Sequence, residues 1–289
     1  MKRNNSILLS TPYLIWMVLF TLIPLGVVGY YALTDPSTGE FSLVNLRQLG
    51  MYMPVLWTSI VYSLVSAVVC LILGYPVAYF IAHCSQTAQR FLYMLVMLPM
   101  CMSFLLRTLA WVGLLNDQGI INNLLVAFFD LLRSLGGVFA GIPEDFGRLT
   151  LIRTPGAVVL GMVYNYLPYM ILPLYTTISK IDRRLIEAAE DLGCNSVQTF
   201  RRVILPLSMP GILSGMTMVF VPAVSTFYIS QKMGSSSTVL IGDVIERQFK
   251  QGNNPNLGAA LSIVLMLLVF VCTGIMNRFG GDEEGSVVV

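Results

Sequence analysis

The sequence predicts an all-α membrane protein with six transmembrane helices. Of its 289 residues, 56% are hydrophobic and only 11% are charged, whereas a soluble domain carries about 25% charged residues. So few charged side chains indicate that lipid, and not water, surrounds most of the chain. Six apolar runs are close to the roughly 20 residues that cross a bilayer, or longer, and they predict one transmembrane domain over residues 1–289. The predicted spans are residues 12–33, 57–82, 91–115, 155–179, 204–230 and 257–277.

The first span, residues 12–33, is predicted to stay in the protein as an uncleaved helix. Lys2 and Arg3 precede it, and no clear small-x-small cleavage site follows it. The apolar run is also longer than the hydrophobic part of a signal peptide. A cleaved signal peptide is the alternative that this pattern leaves open.

An even number of spans places both termini on the same side of the membrane. The basic pairs Arg183–Arg184 and Arg201–Arg202 lie between the fourth and fifth spans. Because Lys and Arg are enriched in short cytoplasmic loops, we expect segment 180–203 in the cytoplasm. The N-terminus and the C-terminus are then cytoplasmic as well.

Prolines occur in several predicted spans, among them Pro99 and Pro222. A proline removes one helix hydrogen bond, so a neighbouring helix or water must satisfy the freed carbonyl. Such breaks are common in helices that line a pathway and in other multi-span proteins, so they leave both interpretations open.

The charge-dense segment 180–203 is predicted to form two short helices joined by a turn. Asp182 can cap the first helix, and Asn195 or Ser196 can cap the second. Gly193 suits the position just after the first helix, where a positive φ costs least. The segment is either a water-exposed amphipathic helix pair or a docking surface for another protein.

The spacing of one motif favours docking. Residues Glu187 to Pro206 read E-A-A-x3-G-x9-V-x-L-P. This resembles the E-A-A-x3-G-x9-I-x-L-P motif of the permease subunits of binding-protein-dependent ABC importers, with Val203 in place of isoleucine. The resemblance implies a coupling helix that docks onto an ATP-binding subunit. The residues it implies for docking are Glu187, Ala188, Ala189, Gly193, Leu205 and Pro206.

The same resemblance implies a fold, a location and partners. The fold is that of a type I ABC importer permease core, in a bacterial cell membrane. The implied partners are a second permease subunit in a heterodimer, two copies of an ATP-binding subunit and an extracytoplasmic substrate-binding protein. ATP and Mg²⁺ belong to the ATPase partner, so no cofactor is expected in this chain.

Several further segments are similar to the spermidine/putrescine branch of the family, and most of all to the first of its two permease subunits. This resemblance implies a polyamine cargo, although permeases for iron, thiamine and other small solutes share much of the layout. One departure is that polyamine permeases often carry an acid where this chain has Gln231 beside Lys232. The similar segments are residues 73–79, 106–111, 119–125, 167–175 and 240–249.

A route for a flexible polycation needs aromatic faces for cation–π contacts and a few acids or carbonyls for the ammonium ends. At about 1.5 Å per residue, Tyr164, Asn165 and Tyr169 lie about 13–21 Å along the fourth span, near the membrane midplane. Asn165 and Tyr169 share a helix face at i, i+4. Phe227 in the fifth span is a further candidate for the lining. The alternative is that the tyrosines pack and hydrogen-bond between helices.

Arg107 is a strong charge inside a predicted span, and Trp111 lies one turn later on the same face. A buried arginine is costly unless it is paired or hydrated, and its charge has the wrong sign for binding a polyamine. We therefore predict a structural role for Arg107, with gating as the alternative, and a pathway position for Trp111. Asp117 and Asp243, in outer segments, either attract a cation or are solvated loop charges.

Several classes of function are not supported by any motif. The chain has no G-x-x-x-x-G-K-[ST] motif, so ATP binding through a P-loop is not expected. It also lacks G-x-S-x-G and H-E-x-x-H, and the single histidine, His83, and five scattered cysteines predict no metal site. A net charge of +2 is too weak to argue for nucleic acid. An ion-driven secondary transporter is the rival class, which predicts more acids within the spans.

Overall fold

A computed structural model describes residues 12–13, 15–35, 39–134, 149–250 and 254–280. Lys2 and Arg3 lie outside the described residues. The described part of the chain is helical, and its only recorded β pairing is an isolated bridge between Thr34 and Phe41. The helices are α1 (Ile23–Ala32), α2 (Val44–Gln48), α3 (Met53–His83), α4 (Gln86–Met97), α5 (Phe104–Leu115), α6 (Ile120–Ser134), α7 (Pro155–Ile178), α8 (Arg183–Asp191), α9 (Ser196–Thr199), α10 (Leu205–Leu207), α11 (Met209–Val224), α12 (Tyr228–Met233), α13 (Ile241–Lys250) and α14 (Pro255–Gly280).

Within the described ranges, five helical stretches are long and apolar enough to cross a membrane. A sixth span arises if Ser196–Leu207 and Met209–Val224, which meet at an angle of 62°, are counted as one broken helix. This number agrees with the six predicted spans. The five unbroken stretches are Ile15–Ala32, Leu49–His83, Phe104–Asp130, Pro155–Ile178 and Pro255–Met276.

The third span differs from the predicted range 91–115. Helix α4 ends at Met97, a 3-10 turn covers Leu98–Cys101, and α5 begins at Phe104. Pro99 lies in this turn and has no N–H to continue a helix, which explains the interruption. The apolar stretch that can cross the membrane therefore lies further along the chain, at Phe104–Asp130.

The fifth predicted span, residues 204–230, is also interrupted. A turn at Ser208 separates α10 from α11, and α11 ends at Val224, before α12 begins at Tyr228. Residues 225–227 are therefore not helical, although they lie inside the apolar run. This second break contains Phe227, one of the predicted pathway residues.

The centre of the molecule is formed by α3, α7 and α11. Gly211 and Gly215 bring α11 very close to α7, since a Cβ on Gly215 would lie 2.7 Å from the Met170 sulfur and one on Gly211 would lie 2.6 Å from Thr177 Oγ1. Small residues four apart allow such close contact between helices in membranes. The packed α3–α7–α11 unit carries both the coupling segment and the candidate pathway residues.

The N-terminal helix α1 packs on the last helix, α14. Ala32 of α1 packs on Ala259 and Ala260 of α14. The Asn45 and Asn256 side chains both donate hydrogen bonds to the carbonyl of Thr34, at 2.9 and 2.8 Å. Most apolar side chains of α1 are exposed, as expected of a helix that faces lipid.

Candidate coupling and translocation sites

The first helix of the coupling segment, α8, has the predicted cap and the predicted end. Asp182 accepts a hydrogen bond from the Arg184 N–H at 3.0 Å. Gly193 has a φ of +84°, and the N–H groups of Gly193 and Cys194 donate to the carbonyls of Glu190 and Ala189. These two bonds form the glycine-ended helix terminus in which a left-handed residue satisfies the last carbonyls.

The second helix, α9, is capped by Asn195, which settles the choice between Asn195 and Ser196. The Asn195 side chain accepts from the Gln198 N–H at 2.8 Å, and the Gln198 side chain accepts from the Asn195 N–H at 3.0 Å. This reciprocal capping box, together with Gly193, makes the turn between α8 and α9 a defined structure.

The surface of the coupling segment is partly acidic and partly apolar. Glu187 and Ala188 are exposed, whereas Ala189 is buried. Leu192 and Val197 are 87% and 73% exposed, on the two sides of the turn. Large apolar side chains held in water at the tip of a rigid turn indicate a contact surface for another protein.

The segment is joined to α3 through aromatic contacts. The ring of Phe200 meets those of Tyr75 and Tyr79 edge-on, with centroids 5.5 and 6.2 Å apart. The Tyr75 hydroxyl lies 2.9 Å from the Ser208 hydroxyl, where the chain bends between α10 and α11. The coupling segment is therefore bound to the helical core on both sides of the bend.

The last two residues of the motif lie just before this bend. Leu205 is half-buried and packs on the main core, whereas Pro206 is exposed. Both belong to α10, which extends from the coupling segment into the broken fifth span.

An aromatic cluster lies between α5, α7 and α12. Trp111 and Tyr164 meet edge-on at 5.2 Å. Tyr166 stacks on Phe104 at 6.4 Å, and Phe104 also lies 6.4 Å from Tyr228. The predicted aromatic residues of the third and fourth spans are thus neighbours.

The predicted pair Asn165 and Tyr169 is not equally accessible. Tyr169 is 36% exposed, whereas Asn165 is 1% exposed and donates to the Gly161 carbonyl at 2.9 Å. The Asn165 side-chain oxygen has no hydrogen-bond partner within the described residues. Tyr169 can therefore face an open pathway in this single chain, and Asn165 lies behind it.

Arg107 is 7% exposed, as expected of a charge placed inside a span. Its Nε and Nη1 atoms have no hydrogen-bond partner in the part of the chain that the structure describes. On α5, Arg107 lies one turn before Trp111, a member of the aromatic cluster.

The two candidate outer acids differ in their environments. Asp117 is exposed in the turn between α5 and α6, where its N–H donates to the Asn116 side chain at 2.8 Å. Asp243 is 2% exposed, so for this residue the alternative of a solvated loop charge is wrong. Burial raises the pKa of the Asp243 carboxyl, against the opposing effects of the Leu240 N–H and nearby polar groups.

Near Asp243, Glu246 is held by two donors. Lys250 lies 2.7 Å from one of its oxygens, and the Gln231 side chain donates to the other. Hydrogen bonds from Lys250 and Gln231 lower the pKa of Glu246. Residues 227–234, which include Gln231, contain no acid of their own. Helix α13 brings the acids Asp243 and Glu246 next to Gln231.

With this geometry in view, comparison with known proteins identifies the family. The model of the binding-protein-dependent transport system inner membrane component matches residues 74–280, a range that includes the whole coupling segment. The chain belongs to this family. It is accordingly a multi-pass permease subunit of an ABC importer, and a transport protein rather than an enzyme.

The permease has curated relatives over most of its length. It is 36% identical over 261 residues to the spermidine/putrescine transport system permease protein PotB of Escherichia coli K12, covering 88% of this chain and 90% of the relative. It is 37% identical to PotB of Haemophilus influenzae, covering 89% and 88%. The E. coli inner membrane ABC transporter permease protein YdcU is 31% identical, covering 92% and 84%.

Solved structures share the fold. A bacterial ABC transporter involved in the import of the acidic polysaccharide alginate matches with a TM-score of 0.70 at 17% identity, covering 96% of both chains. The methionine ABC transporter MetNI in inward-facing conformations matches with a TM-score of 0.55 at 16% identity, covering 81% of this permease and 96% of that chain.

Sequence reasoning did not single out Leu192 and Val197 in the coupling segment or Phe104 in the aromatic cluster. The sequence does contain a signal for Leu192 and Val197. Apolar residues inside a charged turn indicate a surface that another protein covers. No pattern predicted the contact of Phe104 with Tyr166, since it depends on where α5 starts after the break at Pro99.

Proposed function

We propose that this permease forms half of the translocation pathway of an ATP-driven polyamine importer, with spermidine and putrescine as cargo. The main support for a polyamine cargo is the 36% identity to a spermidine/putrescine permease over 88% of the chain. The aromatic cluster and the buried acid Asp243 support it, because aromatic faces and sparse acids suit a polycation. The other half of the pathway comes from a second permease subunit.

The coupling segment docks onto one of two ATP-binding subunits, which hold ATP and Mg²⁺. The proposal is supported by the exposed side chains of Glu187 and Ala188, the turn set by Gly193, and the exposed apolar tip at Leu192 and Val197. Ala189 packs inside the segment. Leu205 and Pro206 lead into the bend, so a displacement of the docked segment reaches α11.

Trp111, Tyr164 and Tyr169 line the route, with Phe227 nearer its outer end. Tyr169 and Phe227 are 36% and 38% exposed, on a surface that the second permease would share. Asn165 holds its polar group behind them, and Arg107 has a structural role.

The coupling segment faces the cytoplasm, and both termini lie on that side. The basic residues Arg183, Arg184, Arg201 and Arg202 support this orientation, because they lie in one short segment. Asp117 then lies toward the outer side, where an extracytoplasmic binding protein delivers the cargo. Labelling of a Glu187→Cys variant with thiol reagents, in intact cells and in inverted vesicles, tests the orientation.

Competition for uptake tests the cargo. The importer is reconstituted in liposomes with its second permease, ATPase subunits and binding protein, and uptake of labelled spermidine is measured. We expect unlabelled spermidine and putrescine to compete, and Fe³⁺ and thiamine not to compete. Uptake that thiamine or Fe³⁺ inhibits, and polyamines do not, would contradict the proposed cargo.

Charge reversal tests the coupling role. We expect Glu187→Lys to reduce recovery of the ATPase subunit with the permease while membrane insertion stays normal. Arg90→Glu, a change of equal size and opposite sign at an exposed residue of α4, is the control and should leave recovery unchanged. Normal recovery and normal transport in Glu187→Lys would exclude docking through this residue.

A further inference from the structure

The break between α11 and α12 leaves backbone acceptors without a helical partner inside an apolar span. Helix α11 ends at Val224 and α12 begins at Tyr228. Among the described residues, no hydrogen bond is recorded to the carbonyl oxygens of Ser225 and Thr226. Carbonyls that a helix break leaves free in a membrane protein are tolerated where they line a cavity or coordinate a cation.

These two carbonyls are directed toward the start of α13. A Cβ on Gly242 would lie 2.5 Å from the Thr226 oxygen and 2.8 Å from the Ser225 oxygen. Only glycine lets the two backbones come this close. The next residue after Gly242 is Asp243, so a buried acid directly follows the residue that the two carbonyls contact.

The carboxylate of Asp243 is itself only partly satisfied. Its Oδ2 atom accepts the Leu240 N–H at 3.0 Å and so caps α13. Its Oδ1 atom is buried and makes no hydrogen bond within the described ranges, although the side chains of Ser230, Gln231 and Arg247 lie close enough to favour the ionised carboxylate. An acid that is 2% exposed and has one free oxygen is unusual, because buried polar atoms are nearly always paired.

The surroundings of this group of acceptors suit a cation that arrives from outside. Ser225 is exposed and Phe227 is 38% exposed, so one side of the break is open. The Lys232 ammonium lies 5.8 Å from the centre of the Tyr228 ring, which is a cation–π distance. The Tyr228 ring at the start of α12 thus contacts the chain's own Lys232 cation.

We propose that the Oδ1 atom of Asp243 and the carbonyl oxygens of Ser225 and Thr226 bind one terminal primary ammonium group of the transported polyamine. A primary ammonium has three N–H donors, and this site offers three acceptors with one negative charge. The inference rests on the proposed function. In this proposal, Asp243 of α13 supplies the acid that residues 227–234 lack.

The reconstituted importer tests the site with an isosteric change. Asp243→Asn removes the charge but can still accept the Leu240 N–H, so α13 keeps its cap. We expect the KM for spermidine to rise about tenfold or more, because hydrogen bonds to charged groups are the strong ones. Glu246→Gln, which removes a charge one turn along α13, should change the KM less than about twofold.

A second measurement leaves Asp243 intact. Ser225→Cys places a thiol on the exposed side of the site, and a cationic methanethiosulfonate reagent labels it in the complete complex. We expect spermidine to slow labelling at position 225 several-fold, relative to labelling of the native cysteines in the unsubstituted complex.

The results distinguish a failure of the proposed cargo from a failure of the proposed binding site. If the wild-type importer carries no polyamine, both the proposed function and the site are overturned. If it carries spermidine, an unchanged KM in Asp243→Asn, an equal rise in Glu246→Gln, or labelling that spermidine does not slow would overturn the site alone. Poor recovery of Asp243→Asn leaves the labelling experiment to decide.

Discussion

The hydroxyl of Tyr75 lies 2.9 Å from the hydroxyl of Ser208, in the 62° bend between the coupling segment and α11. Both groups are buried, and the Ser208 hydroxyl also donates to the Leu205 carbonyl at 2.9 Å. The bond joins α3 to the point at which movement of the coupling segment enters the membrane. It offers a direct way to test how rigidly the segment is connected to the core.

Removing this hydroxyl should loosen the connection without unfolding the permease. We expect Tyr75→Phe to cost about 0.5–1.5 kcal/mol in stability and to lower the number of molecules imported per ATP hydrolysed. The measurement is uptake against ATP consumption in proteoliposomes. Tyr79→Phe is the control, since the Tyr79 hydroxyl has no recorded hydrogen bond in the described residues. Equal effects of the two changes would argue against a special role for Tyr75.

Truncating the exposed leucine of the coupling turn should weaken docking. Leu192 is 87% exposed in the single chain, and burying a leucine side chain contributes about 1.5–3 kcal/mol. We therefore expect Leu192→Ala to weaken binding of the ATPase subunit about tenfold, as measured by titration of the purified subunits. Ser196→Ala, an exposed change on the same turn, should have little effect. Unchanged affinity in Leu192→Ala would exclude the apolar tip from the contact.

Arg107 and Tyr169 should give different kinetic results. Arg107 is buried beside the aromatic cluster, so we expect Arg107→Met to change the thermal stability of the importer and leave the KM for spermidine within about twofold, in keeping with a structural charge. Tyr169 is partly exposed, and Tyr169→Leu should raise that KM severalfold by removing a cation–π surface. A large KM change in Arg107→Met with unchanged stability would place the arginine in the pathway.

The raised pKa of Asp243 predicts opposite effects of acid on transport and on stability. As pH falls into the window between the raised pKa and the ordinary value for aspartate, Asp243 is protonated and loses its attraction for an ammonium group, so the KM for spermidine should rise. An acid whose pKa rises on folding binds more protons in the folded state, so its contribution to stability is present at low pH and is lost as pH rises through the folded pKa.

Two variants test this pH dependence, with uptake assays and thermal unfolding over the same pH range. Asp243→Asn should remove both trends, since no proton can then be exchanged at this position. Glu246→Gln should leave both trends in place, because the lowered pKa of Glu246 keeps that acid charged across the window. Trends that persist in Asp243→Asn would assign the titration to another group.

Some parts of the fold and site were predictable from neighbouring residues. The caps at Asp182 and Asn195 and the helix end at Gly193 depend on contacts within four residues, and all three are present. The break near Pro99 was foreseeable as a proline effect, yet its result, a third span that begins at Phe104, was not. Whether α5 or α4 crosses the membrane depends on which helix packs on α7 and α12, and no local pattern contains that information.

The residues alone were enough for the membrane class, the number of apolar runs, the coupling motif and the family, because composition, run length and motif spacing are properties of the chain read in order. Only the tertiary structure revealed that Asp243 is buried, that Gly242 packs against the carbonyls of Ser225 and Thr226, and that Tyr75 meets Ser208 at the bend. Each of these relationships joins residues far apart in the chain. They exist because helices close-pack in three dimensions, and burial and hydrogen-bond partners are decided by that packing.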